Sequence, residues 1–424
     1  MGGLQLKNKI FQINIDTSVL RRLRDKVNEN QNISYNKQYK KYRAWDKICA
    51  IMDRLDDTVD YLNQLKLNTG KYRRSAFDFY DFMNNSAVVC DCIKELAQIF
   101  DVDDEEIRTS SEIFNQTGTD GKGTDSNYFK YLRSLCSVHP IETSRHKRYQ
   151  DNEFECSPYV TWNDNFIYVN DDCDIYAVVY TSKEGNSFKR VKIYMSQIFE
   201  YIEKRVEFIE KIIQSIEDYQ QRTIDDFINE KIKGESEFDN YIDYLENLKF
   251  ECEKRYSDDC FHSFDYVINL FQLELSNNEN EYKMNLYKNA IKYAVEFEHN
   301  NIQNMSYEGF ENNGLIFQPE NMETTLLTEL VSPNSWSDEV RKYSYELGKI
   351  SYLNDGSDIS NIQWAYIQLK YVKPFLEKYV SFEKANSDFE YYALVNLALY
   401  LECLENDCLI NKNIPMDKNY RISI

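Results

Sequence analysis

A chain of 424 residues with 42% hydrophobic and 29% charged residues can bury a large core, which excludes a disordered protein and points to two or three domains. It has no run of about 18 apolar residues and no apolar stretch behind a basic N-terminal segment, so neither a membrane span nor a signal peptide is expected, and the expected location is cytoplasmic. The net charge of -21 is unevenly placed: residues 1–150 carry 24 Lys and Arg against 21 Asp and Glu, and the rest carry 26 against 50, so a polyanionic partner would meet the first third.

Only 12 glycines and 6 prolines punctuate the chain, which favours long helices. After an irregular start, 18–28 reads as a short basic helix within an N-terminal extension, 1–34. Trp45, Ile48, Met52, Leu55, Val59 and Leu62 then alternate spacings of three and four, the apolar stripe of a helix of about six turns. Asn68, Thr69 and Gly70 break it, and Ser75 with Asp78 resembles a capping box. Phe79, Phe82, Ser86, Val89, Ile93, Leu96 and Phe100 repeat the stripe, which predicts an antiparallel helical hairpin.

The acidic run 101–106 lacks the spacing of a calcium loop and is expected to be solvated. The segment 117–125, TGTDGKGTD, has glycines but no GxxxxGK[ST] spacing and no buried strand before it, so it is expected to be a flexible loop. A β-rich interruption follows at about 156–194, with strands expected at 159–162, 166–169, 175–181 and 188–194 and a hairpin turn in SKEGNS. Ile198, Ile202, Val206, Ile209, Ile213 and Ile216 mark a further long helix.

Beyond Gly234 the chain is acidic, with helices expected near 236–256, 261–276, 281–305, 335–353 and 360–405. Pro374 should kink or break the last of these, and Ser387 should cap its second part. His262 and His299 are expected to be structural or at the surface. The ten cysteines form no CxxC pair, and reduced thiols without bound metal or cofactor are expected.

The segment 128–148 holds two of the four histidines, His139 and His146, and five basic residues. Six residues separate Arg133 from His139 by roughly 120° on a continuous α-helix, but Pro140 disfavours the α region at His139 and should end the helix there. An arginine and a histidine suffice for metal-free phosphodiester cleavage, the imidazole moving a proton and the guanidinium holding phosphoryl charge. Lys130 lies one turn before Arg133, Ser134 follows it, and Arg145, His146, Lys147 and Arg148 form a cluster suited to an RNA backbone. The residues alone also fit a helix-ending histidine, an interhelical salt bridge and a solvated basic turn.

Arg133 and His139, in RSLCSVH on the third main helix of a small bundle, resemble the signature of HEPN-domain ribonucleases. The resemblance covers about residues 35–220, with Ser134 where the family often has Asn, Asp or His. It implies a mainly α fold, an antiparallel helical bundle with the strands as a small antiparallel β insertion. It also implies a homodimer with a composite active site and metal-independent endoribonucleolytic cleavage of cellular RNA, as in toxins and antiphage effectors. Arg133 and His139 would be catalytic, and Ser134 and Lys130 auxiliary. The acidic all-helical region 235–424 would sense a trigger or bind a regulatory protein. Against this stand a non-enzymatic helical scaffold that binds a basic partner, and a HEPN module that binds nucleotide or RNA without cleaving it.

Overall fold

The computed structural model describes residues 9–69, 75–142, 144–151, 155–163, 172–180, 188–256, 261–307, 337–354 and 358–406. The protein is mainly helical with small antiparallel sheets, and it divides into the compact units Met1–Arg222 and Thr223–Ile424. No described helix is long and apolar enough to cross a membrane.

In the first unit α1 (Ser18–Glu29) and α2 (Gln31–Tyr35) precede two long helices, α3 (Trp45–Gln64) and α4 (Ser75–Ile99). The expected stripe of α3 is buried apart from a half-buried Trp45, and all seven stripe positions from Phe79 to Phe100 are buried. The two helices run antiparallel. Lys47 near the start of α3 pairs with Glu95 near the end of α4, and Tyr61 near the end of α3 bonds Asp81 near the start of α4. Ser86 is accommodated in the stripe because its hydroxyl donates to the Phe82 carbonyl at 2.7 Å. The side chain of Ser75, the expected cap, lies outside the described residues.

The segment before residue 35 is part of this core rather than an extension from it. Ile13, Ile15, Val19, Leu20, Leu23 and Val27 pack into the same cluster as α3 and α4. Strand β1 (Ile10–Phe11) pairs antiparallel with β4 (Leu67–Asn68) just past the end of α3, and β2 (Gln38–Tyr39) forms a hairpin with β3 (Tyr42–Arg43). Phe11 stacks on Trp162, which is 1% exposed, at 5.4 Å between ring centroids. Burying a side chain of that size stabilises a fold by roughly 1.5–3 kcal/mol, so the N-terminal strand contributes to stability.

After α4 come the short α5 (Glu105–Thr109) and α6 (Asp125–Arg133), then the antiparallel sheet β5 (Cys156–Trp162), β6 (Ile175–Tyr180) and β7 (Phe188–Ile193), with β6 central. Both faces of β6 are covered. Ile175, Ala177 and Val179 enter the main core, while Tyr176 and Val178 join Cys173 in a small outer cluster. The strand expected at 166–169 and the SKEGNS turn lie outside the described residues, though Tyr180 pairs with Phe188 as a hairpin requires.

The helix expected to run through Ile198 and Ile216 is divided into α7 (Met195–Glu207) and α8 (Ile209–Asn229) at Phe208. There the Phe208 and Lys211 amides bond carbonyls four and three residues back, and the buried stripe resumes at Ile209. An interruption of one residue leaves such a stripe unbroken in the sequence.

The second unit consists of α9 (Tyr241–Tyr256), α10 (Phe261–Gln272), α11 (Glu281–Gln303), α12 (Asp338–Lys342), α13 (Ser344–Ile350), α14 (Ile359–Leu376) and α15 (Asp388–Glu405) around its own core. Pro374 sits inside the last turn of α14, which ends two residues later at Leu376. Proline forfeits one intrahelical bond but its fixed φ is helical, so the turn can close before the chain departs. Ser387 caps α15, its hydroxyl accepting from the Glu390 amide at 3.1 Å. His299 has a structural place: its Nδ1 bonds the Tyr244 hydroxyl at 3.0 Å, and burial holds its pKa below the ordinary range. The side chain of His262 lies outside the described residues.

Candidate active site

Helix α6 is fixed from its first residue. The Thr124 hydroxyl caps it by accepting from the Asn127 amide, and Asp125, 1% exposed, accepts from Ser110 Oγ at 2.8 Å and the Phe114 amide at 3.0 Å. Tyr128, Phe129, Tyr131 and Leu132 turn inward, which leaves Lys130 exposed and Arg133 half-buried. Tyr131 is also held by chemistry. Its hydroxyl donates to Glu155 at 3.0 Å, and that carboxylate, wholly buried, accepts from the Asp151 amide and pairs with Lys189 of β7. Burial, with the Glu155 charge as a second cause, raises the Tyr131 pKa and keeps its phenol protonated.

Directly after Arg133 the helix widens into a π turn, Ser134–Val138, closed by the His139 amide on the Ser134 carbonyl at 2.8 Å, five residues back. The local cause is Ser137. Its hydroxyl lies 3.0 Å from the Arg133 carbonyl, where an α-helical amide would bond, and 3.0 Å from Asn84 Oδ1 on α4. Arg133 Nε donates to the same Asn84 oxygen at 3.4 Å, so one amide braces both the π turn and the guanidinium. His139 leaves the α region, with φ -134° and ψ 56°, as a residue before proline should. The Pro140 carbonyl then accepts from the Ser157 amide at 2.7 Å, which ties the end of the turn to β5.

Arg133 and His139 therefore stand at the two ends of one π turn, the histidine exposed. Around them the structure gathers part of the expected basic cluster. The His146 ring meets Tyr131 edge-on at 6.0 Å, and its backbone amide donates to Gln150 at 2.9 Å. Burial first, then His139, Lys130 and Arg145, lower the His146 pKa, which places these four groups in one electrostatic neighbourhood. Arg145 and Lys147 are exposed.

Two of the expected site residues have structural roles instead. Ser134 is 7% exposed and serves through its carbonyl. Arg148 pairs with Asp120 at 2.8 Å, and its carbonyl accepts from the Thr119 amide, so it closes the 117–125 segment. That segment is a bonded turn rather than a loose loop: the Gly123 amide also reaches the Thr117 carbonyl at 2.7 Å. At Gly118, with φ +72°, a Cβ would lie 2.1 Å from Arg148 Cγ.

Asn84 and Ser137 are functional candidates that the sequence reading did not single out. Ser137 lies four residues after Arg133, a spacing that signals back-bonding to the arginine's carbonyl, but nothing local marks Asn84 as its partner. Among the described residues no three His, Cys, Asp or Glu side chains converge as metal ligands, and the described cysteines are free thiols. No protein-family model, curated protein or solved structure matches the chain.

Proposed function

We propose that the first unit is a metal-independent endoribonuclease of the HEPN type, with Arg133 and His139 as its catalytic pair. The observation that carries this reading is the π turn that holds an exposed histidine and a braced arginine at its two ends. In the proposed step the 2′-hydroxyl oxygen of the RNA attacks the adjacent phosphorus and loses its proton, and the P–O5′ bond breaks. The departing oxygen takes up a proton, leaving a 2′,3′-cyclic phosphate and a 5′-hydroxyl. His139 exchanges one of these protons, and Arg133 stabilises charge on the non-bridging oxygens of the pentacovalent transition state. His146, whose lowered pKa keeps it neutral near pH 7, is available to accept the other.

Lys130, Arg145 and Lys147 supply exposed positive charge for the strand, a role that Arg148, engaged by Asp120, does not share. Val138 and Ile141, 42% and 78% exposed on either side of the His139–Pro140 step, offer apolar surface for the second copy that a composite site needs. In this reading the acidic second unit restrains or triggers the nuclease, as in toxin and antiphage effectors.

The test is incubation of the purified protein with total RNA in EDTA, beside Arg133→Ala and His139→Ala. Cleavage by the parent protein alone, with cyclic-phosphate ends, is the expected result. Equal cleavage by all three proteins refutes the assignment, as does cellular toxicity that neither substitution changes.

A further inference from the structure

A second feature of α6 lies on its N-terminal side, where α4, α5 and α7 meet it around a cavity of about 370 Å³, a volume at the small-molecule end of the range for ligand sites. Its charge is unlike that of the chain. Lys94, Arg108, Lys130 and Arg205 line it against only Asp91 and Asp104, in a protein of net charge -21.

Arg205 is the unusual member. It is 5% exposed, yet among the described residues no carboxylate pairs with it. Its guanidinium donates to the Ile107 carbonyl and to Ser126 Oγ, both at 2.9 Å, and lies over the Tyr201 ring at 3.5 Å from the centroid. The Ile107 carbonyl, the Tyr201 carbonyl at 3.3 Å and the Ser126 hydroxyl take its hydrogen bonds without cancelling its charge, and a buried charge without a counter-charge is costly. The nearby acids do not cancel it either. Asp91 is exposed and makes no ion pair with Arg205 among the described residues, and Asp104 is spent on Arg108 at 3.2 Å. Asp125 accepts from the Ile113 and Phe114 amides and the Ser110 hydroxyl, and burial pushes the Cys90 thiol in the cavity wall up to about 12, which keeps it neutral. Lys94 and Lys130 stand exposed at the rim with no ion pair among the described residues. The first turn of α6, with Ser126 and Asn127 in the lining, adds its positive dipole end.

We propose that this cavity binds a phosphate group, with Arg205 and Ser126 at its floor and Lys94 and Lys130 at its rim. The phosphate belongs either to a small phosphorylated ligand or to an RNA strand whose path continues past Lys130 toward Arg133. The phosphate site stands on the cavity and its charges alone, and only its assignment to an RNA strand rests on the ribonuclease reading.

The probe is pyrophosphate, titrated into the full chain in chloride buffer while the melting of the protein is followed. Saturation to about 100-fold over Kd should raise Tm of the first unit by roughly 5–10 °C. Ser126→Asp places a carboxylate beside Arg205, so it should raise Tm without ligand and abolish the pyrophosphate response. Lys94→Glu, at an exposed position with no ion pair among the described residues, should weaken the response about tenfold. No rise in the parent protein, or equal rises in all three, would overturn the proposal. Short single-stranded RNA that competes with pyrophosphate and binds Ser126→Asp more weakly would assign the site to the strand. Competition by ATP with RNA binding unaffected by Ser126→Asp would assign it to a small ligand.

Discussion

Glu155→Leu should destabilise the first unit through a definable set of lost bonds. Its two oxygens accept from the Tyr131 hydroxyl at 3.0 Å and the Asp151 amide at 3.1 Å, and pair with Lys189. Leucine leaves the phenol, 1% exposed, without that acceptor, and a buried group that loses its partner costs about 1–3 kcal/mol. Losing the acceptor for the Asp151 amide, which is partly open to water, adds about 1 kcal/mol. The ion-pair contribution is discounted, because Lys189 is 26% exposed and keeps Asp151 at 3.0 Å. Together these give about 3 kcal/mol, or a Tm lower by roughly 6–12 °C for a unit of this size. Glu155→Gln should cost about half as much, since its amide can donate to the phenol oxygen while its carbonyl serves the amide and the lysine. Tyr131→Phe in the Glu155→Leu background should then add little, because the orphaned hydroxyl is gone. Calorimetry of the parent protein, Glu155→Leu, Glu155→Gln, Tyr131→Phe and the double variant checks this. Equal melting of Glu155→Leu and the parent protein, or strictly additive losses in the double variant, would refute the reasoning.

If the first unit cleaves RNA as proposed, Asn84→Ala should lower that cleavage about 10–100-fold with a loss of only about 1 kcal/mol in stability, since Ser137 retains the Arg133 carbonyl while the guanidinium loses its brace; a kcat unchanged from the parent protein would dismiss the positioning role. Because burial depresses the His146 pKa, the folded state binds fewer protons than the unfolded state below the unfolded value of about 6.5. That contribution to stability is complete above the unfolded value and is lost as pH falls below it toward the depressed folded value, so His146→Gln should flatten urea-midpoint profiles of the first unit on the acid side of about pH 6.5. Gly118→Ala should destabilise far more than Gly121→Ala, although both have positive φ, because only the first drives a methyl into Arg148; comparable urea midpoints would contradict the 2.1 Å approach. Ser387→Ala should remove the α15 cap at a cost of about 1 kcal/mol, read as a lower urea midpoint for the second unit.

What the sequence made legible follows from how local each determinant is. The α3 and α4 stripes could be read because amphipathic spacing is written within a few turns, and the Ser387 cap because a cap and its amide lie three residues apart. The end of the helix at His139 was legible from Pro140 alone. The π turn was legible only in part: the reach of Ser137 to the Arg133 carbonyl is local, but its brace on Asn84 lies 53 residues earlier in the chain. Arg148 looked like a free cation until folding brought Asp120 beside it, and the strand Ile10–Phe11 looked like an extension until it met Leu67–Asn68. The division at Phe208 left no trace because the apolar stripe continues across it.

The two charged features of the first unit share one nine-residue helix, and this constrains how each can work. Lys130 lines the cavity proposed to hold phosphate and also acts on His146. Tyr131, the next residue and about 100° round the helix, anchors a second face of α6 to Glu155 and through Lys189 to the sheet. A short helix with one face fixed in this way cannot rotate to favour one feature without moving the other. An anion seated against Arg205 would draw Lys130 toward the cavity and reduce its repulsion of His146, which raises the imidazole's proton affinity. Occupancy of the cavity should therefore shift the acid limb of any cleavage profile to higher pH. Profiles measured with and without pyrophosphate in the Lys94→Glu background, where the cavity binds weakly, would separate this coupling from direct competition for the RNA site.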